Sequence, residues 1–196
     1  MDENLLSLLV ENAAEAARIA RAITPGQLAD PTPCPEFDTR TLINHWVLYT
    51  SYGLEHRARR EDLPEDLRKR DFAAEPDWAG QYQAALGRAV DAWSVPAAWD
   101  GAVDFGGGAM VPIEDVFLMN LGELALHGWD VAKATGQDYR ASAGTGETVL
   151  RFAENYAEMY RSYDGFAQPV PVAEDASAFE RAVALTGRDP GWPKNS

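Results

Sequence analysis

Glu123 and His127 stand four residues apart in the run Gly122-Glu123-Leu124-Ala125-Leu126-His127-Gly128-Trp129-Asp130. On a helix that spacing puts a carboxylate and an imidazole on one face. Asn120, three residues before Glu123, and Asp130, seven after it, return to the same face, and the stripe continues to Ile113, Val116 and Ala134. A polar line therefore interrupts a surface that otherwise faces a core, and burying it without partners is costly. A divalent cation satisfies carboxylate and imidazole together, and as a Lewis acid it would activate water or a substrate atom. A Glu/His pair at this spacing is also common on solvated helices. Here Leu121, Leu124 and Trp129 flank the pair, so no broad polar face surrounds it. Gly122 and Gly128 are each about 1 kcal/mol poorer than Ala in a helix. Small residues at those positions would let another helix come close.

A third ligand must come from another stretch. The chain has three histidines, His45, His56 and His127, and one cysteine, Cys34. A single cysteine excludes an intrachain disulfide and a cysteine-based zinc site. His45 lies in a stripe with Leu42, Tyr49 and Tyr52 that should face the core. His56 follows eleven residues later within Glu55-His56-Arg57-Ala58-Arg59-Arg60 and reads as solvated. Eleven helical residues span about 16 Å, so one cation with bonds of about 2 Å cannot take both. His45 is the preferred candidate, although spacing alone fits a satisfied core histidine better than a ligand. Cys34, between two prolines, reads as inert, with no base evident nearby. Phe105-Gly106-Gly107-Gly108 reads as a turn, since no G-x-S-x-G, Walker or G-x-G-x-x-G pattern accompanies it. Trp46, Trp93, Trp99, Trp129 and Tyr49 are core candidates, some of them able to wall a pocket.

These residues need elements to position them. Helical periodicity predicts a first helix over 3–23, stopped by Pro25-Gly26, and a second over about 39–60 capped by Asp38. A charged connection leads to a third helix over about 77–93. Residues 99–111 lack helical periodicity and predict a small hairpin around the glycines. Pro112 suits the first position of a fourth helix, which runs to about Thr135 and stops at Gly136. Thr145 is expected to cap a fifth helix over about 146–161. Ser177 and Glu180 have capping-box spacing for a last short helix ending at Gly187. The fold class is all-α, most simply a bundle with appended helices, the last of them an extra C-terminal one, in one domain over residues 1–196.

The 196 residues are 46% hydrophobic and 24% charged, ordinary for a globular protein. The net charge of −14 repels phosphate backbones and argues against nucleic acid as a partner. No basic helix suits an anionic membrane. No stretch approaches the roughly 20 apolar residues of a membrane span. The acidic start does not resemble an export signal, so a cytoplasmic protein acting on a small molecule is expected.

Three motifs resemble one family. Thr32-Pro33-Cys34-Pro35-Glu36-Phe37-Asp38 with Leu42-Ile43-Asn44-His45, then His127-Gly128-Trp129-Asp130-Val131-Ala132-Lys133-Ala134-Thr135-Gly136, then Leu185-Thr186-Gly187-Arg188-Asp189-Pro190-Gly191-Trp192 resemble the start, middle and end of actinobacterial DinB-like metal-binding proteins. These are relatives of the N-terminal domain of mycothiol-dependent maleylpyruvate isomerase. Phe37 replaces the usual Trp. The resemblance implies a four-helix bundle with a metal between helices, held by His45, Glu123 and His127, and a low-molecular-weight thiol as cosubstrate. It also implies a homodimer. Two histidines, one carboxylate and an open position make a catalytic rather than a structural arrangement, which lowers the pKa of a bound water or thiol. Zinc is first choice on ligand type, while iron, nickel and manganese also take such ligands. Asp130 and Asn44 are candidates to orient an imidazole from behind.

Two functions follow. One is a metal-activated, thiol-dependent transferase or isomerase; the other is a metal- or ligand-binding module without turnover. The isomerase has a second, C-terminal domain that helps bind substrate, and 196 residues leave no room for it, which favours the module. The ligand set with its open position favours the enzyme. A non-haem iron oxygenase has the same ligand types, but its usual all-β scaffold argues against it.

Overall fold

The computed structural model describes residues 3–104 and 108–192. Helix α1, Glu3–Arg21, buries Leu5, Leu8, Leu9, Ala16 and Ile19 along one face, the 3.6-residue periodicity of its sequence turned into packing. Helix α2, Thr39–Val47, starts where the Asp38 carboxylate accepts the Thr41 backbone N–H at 2.8 Å. The second helix continues to about residue 60 as expected, but its pitch changes. Leu48–Gly53 widens into a π-type turn before α3, Leu54–Arg59, and Arg60 closes the helix at φ 60°. The Thr50 and Ser51 hydroxyls donate to the carbonyls of Trp46 and Val47, each at 2.6 Å, a local competition for helical acceptors that distorts the ladder.

The charged connection contains a short helix, α4, Glu65–Arg68, and a 3-10 turn, Phe72–Ala74, and leads to α5, Trp78–Trp93. A small antiparallel hairpin follows. Strand β1, Ala102–Asp104, pairs with β2, Met110–Pro112, with Val103 opposite Val111. The turn expected at Phe105-Gly106-Gly107-Gly108 falls, at residues 105–107, outside the described residues. Helix α6, Ile113–Ala134, begins one residue later than expected because Pro112 still belongs to β2. Gly136, at φ +69°, lets the chain leave in a left-handed conformation that other residues resist. Helix α7, Ala143–Arg161, starts earlier than its expected cap. Ser142, not Thr145, caps it by accepting the Thr145 N–H, and Thr145 sits inside the first turn. Helix α8, Ala178–Leu185, opens with the Ser177–Glu180 capping box.

Two apolar clusters hold these elements. The first joins α1, α2–α3, α5 and α6 in a four-helix arrangement around Trp46, Tyr82, Trp93 and Phe117. The second packs α7 and α8 onto Ala125, Leu126 and Trp129 of α6, with Phe152 and Phe179 inside. Helix α6 is therefore covered from two sides and buried nearly all round, as expected of a core helix. At Gly122 α7 comes close, since a Cβ there would lie 2.5 Å from the Phe152 ring. The fold is all-α with one small hairpin. Among the described residues no helix is long and apolar enough to cross a membrane.

Candidate metal centre

Trp46, fully buried, donates its indole N–H to the Leu124 carbonyl at 3.2 Å. This bond pins α2 to α6 one residue away from both His45 and Glu123. The pinned pair meets across the helix interface, where His45 Nε2 lies 3.4 Å from Glu123 Oε2. His127, one turn further along α6, places its Nε2 3.3 Å from the same oxygen. The two imidazole rings lie 4.8 Å apart, nearly perpendicular. One ligand atom from each of the three residues falls within 4.8 Å of the others. Ligands at about 2.05 Å from a tetrahedral cation are about 3.3 Å apart along each edge. Two edges of this triangle match that separation, so the donor set fits a single cation.

His45 and Glu123 line a cavity of about 340 Å³ together with Tyr49, Gly53, Arg57 and Tyr160. Phe37 and Tyr49 flank the His45 ring at 5.5 and 4.7 Å. The wide turn in the second helix matters here. On a regular helix Arg57 would point about 120° around the axis from His45. More residues per turn over Leu48–Gly53 reduce that rotation, so His45, Tyr49, Gly53 and Arg57 face one cavity. π-type turns frequently mark functional sites. The cavity volume is at the small end of the range for ligand pockets. Asn120 also lines it, with its amide donating to the Val116 carbonyl at 2.8 Å. His56 lies apart from the cluster, half-buried rather than solvated, with Nδ1 2.8 Å from the Tyr52 carbonyl.

Behind His127 stands a second set of groups. Asp130 Oδ2 lies 3.0 Å from His127 Nδ1, so the carboxylate accepts that N–H and leaves Nε2 facing Glu123. A carboxylate behind a ligating imidazole is the usual means of fixing its tautomer. Asp130 is itself gripped by Arg188, whose Nε lies 2.9 Å from Oδ1 and whose Nη2 lies 2.9 Å from Oδ2. Cys34 completes the set, its Sγ 3.2 Å from Asp130 Oδ2 and 3.4 Å from Arg188 Nη2. The absence of a base near Cys34, read from the sequence, is thus corrected: a carboxylate and a guanidinium touch it, 96 and 154 residues away along the chain. Cys34, His127 and Asp130 could by distance also surround a cation. The guanidinium already occupies both Asp130 oxygens, which leaves that set the poorer one electrostatically. Asn44 does not turn toward the site. Its side chain bonds the Asp71 carboxylate and the Ala73 N–H, each at 3.0 Å, and so holds the connection before α5.

Charge follows this arrangement. Burial works to raise the Glu123 pKa, but the His127 and His45 imidazoles outweigh it and hold the carboxyl below the ordinary range. Burial would lower the pKa of His127, yet Glu123 and Asp130 on its two sides push it well above the usual imidazole value. Asp130 is held below the carboxylate range against its own burial, chiefly by Arg188 and then by His127. The cluster concentrates negative charge on Glu123, the oxygen shared by both imidazoles.

Sequence reasoning missed Arg188 and the contacts of Cys34. Both lay in motifs with no role assigned, Gly187-Arg188-Asp189-Pro190 and Thr32-Pro33-Cys34-Pro35, and a motif without a role is the signal that could have found them. No curated protein and no solved structure matches this chain. Residues 9–132 match the family described as mycothiol maleylpyruvate isomerase N-terminal domain. That segment contains His45, Glu123 and His127 and spans more than half of the sequence, and the chain belongs to this family.

Proposed function

We propose that this protein binds one divalent metal, zinc by preference, through His45, Glu123 and His127, and uses it to activate a small thiol, mycothiol in the first instance, in a transferase or isomerase reaction. The observation that carries this reading is the Glu123 oxygen lying within 3.4 Å of two imidazole nitrogens on the wall of a cavity sized for a small molecule. The family description, which names a mycothiol-dependent isomerase, supports the thiol. A cation at this position supplies Lewis acidity that lowers the pKa of a thiol or water. The chain's own part is positional. Asp130 keeps the proton of His127 on Nδ1. Phe37 and Tyr49 pack against the His45 ring, and the cavity admits the reactants.

The test is thiol consumption by the zinc-loaded protein with mycothiol and a panel of aryl-halide and enone electrophiles. Turnover that a chelator abolishes and zinc restores is the expected result. Bound zinc with no metal-dependent turnover on any electrophile would overturn the enzymatic reading and leave a metal-binding module.

A further inference from the structure

The three motifs of the chain converge behind the proposed metal centre: Cys34 from the first, Asp130 from the second and Arg188 from the third. Arg188 lies outside the family-matched residues 9–132. We propose that Arg188 is a positioning residue of the metal centre, which aims His127 by fixing the carboxylate of Asp130. This rests on the metal-binding reading above.

Each nitrogen of the guanidinium has a partner. Nε and Nη2 bridge the two Asp130 oxygens at 2.9–3.0 Å, Nη1 donates to Thr186 Oγ1 at 3.0 Å, and the Phe166 ring lies 5.5 Å from its centre. Asp130 is 0% exposed and Arg188 6% exposed, so water does not compete for these bonds. A planar fork bound at two points sets the plane of the carboxylate as well as its charge. That plane decides where Oδ2 stands, and Oδ2 is the acceptor 3.0 Å from His127 Nδ1. Without the fork, the carboxylate turns about its Cβ–Cγ bond and the imidazole loses its orienting partner. The segment after α7 is thereby part of the metal centre. A purely structural ion pair would need no third bond from Asp130 to the imidazole.

The test compares zinc affinity, by competition with a chromophoric chelator, in wild type, Arg188→Gln, Arg188→Lys, Asp130→Asn and the double variant Asp130→Asn/Arg188→Met. Thermal unfolding of the metal-free proteins and the visible spectrum of the cobalt(II)-loaded forms accompany it. Arg188→Gln is expected to weaken zinc about 10–100-fold, the usual effect of losing an orienting group, and to change the cobalt spectrum. Arg188→Lys, with charge but no fork, should fall between. The double variant leaves no unpaired buried charge, so it carries the test if Arg188→Gln does not fold. It should bind zinc within about 2-fold of Asp130→Asn, because Arg188 acts through Asp130. Folded Arg188 variants with unchanged affinity and spectrum, or additive losses in the double variant, would overturn the positioning role. Wild type that takes up neither zinc nor cobalt would instead overturn the metal-binding reading and this role with it.

Discussion

The same substitution, Gly to Ala, should have opposite signs at two helical positions. In α6, a methyl on Gly122 would lie 2.5, 2.6 and 2.9 Å from three carbons of the Phe152 ring. That ring cannot retreat, being 1% exposed and enclosed by Tyr156, Tyr160 and Phe166 at 5.7–6.3 Å between centroids. Helix propensity favours Ala by about 1 kcal/mol. Overpacking a close-packed site costs about 1–3 kcal/mol, and with backbone on one side and a locked ring on the other the upper half of that range applies. The net expectation is a loss of about 1–2 kcal/mol, or about 2–8 °C in melting temperature for a chain of this size. In α5, Gly87 is exposed and a methyl there meets nothing within 4 Å. Only the propensity gain remains, so Gly87→Ala should stabilise by up to about 1 kcal/mol. Thermal unfolding of both variants by circular dichroism reads the result. A Gly122→Ala protein as stable as wild type or more so would refute the close approach of α7 to α6, and with it the double covering of the helix that carries Glu123 and His127.

Two further predictions concern protons. Glu15 is buried and accepts from Arg18 at 2.7–2.8 Å and from the Arg140 backbone N–H at 2.8 Å. Burial alone would raise its pKa, but these donors hold it below the ordinary 4.5. Its stabilisation is therefore fully present above pH 4.5 and lost as pH falls through the lower folded value. Glu15→Gln should cost about 1–3 kcal/mol at neutral pH, and the gap to wild type should narrow below pH 4.5; a gap constant down to pH 3 contradicts this. Glu123 and Asp130 raise His127 above the ordinary imidazole value, and a metal takes only the neutral Nε2. Zinc binding should then release protons, and affinity should fall as pH is lowered. Calorimetry in buffers of different ionisation enthalpy measures this, and zero release contradicts it.

How much of this was readable without coordinates depends on the range of the interaction. The faces of α1 and α6, the stop at Gly136 and the Ser177–Glu180 capping box follow from spacing and backbone preference, and they stand where the sequence put them. Spacing does not single out the cap of α7, because Ser142 and Thr145 are both good caps, and the intervening Ala143-Gly144 gives no periodic signal. The wide turn at Leu48–Gly53 has no periodic signature; it coincides with two hydroxyls that bond backbone acceptors one turn back. The meeting of His45 with Glu123 was suggested by residue type and resemblance. The Trp46–Leu124 bond that enforces it is a tertiary fact. Asn44 shows the converse, since a polar neighbour of a ligand candidate serves a different loop. Arg188 reaches Asp130 across 58 residues, a distance over which local pattern says nothing.

Metal content tests the central claim most directly. Wild type, His45→Ala, His127→Ala and His56→Ala are loaded with zinc, exhaustively desalted and measured by elemental analysis. About one zinc per chain is predicted for wild type and for His56→Ala, with little in either of the other two. A wild type without zinc, or a His127→Ala protein that keeps it, would contradict the account.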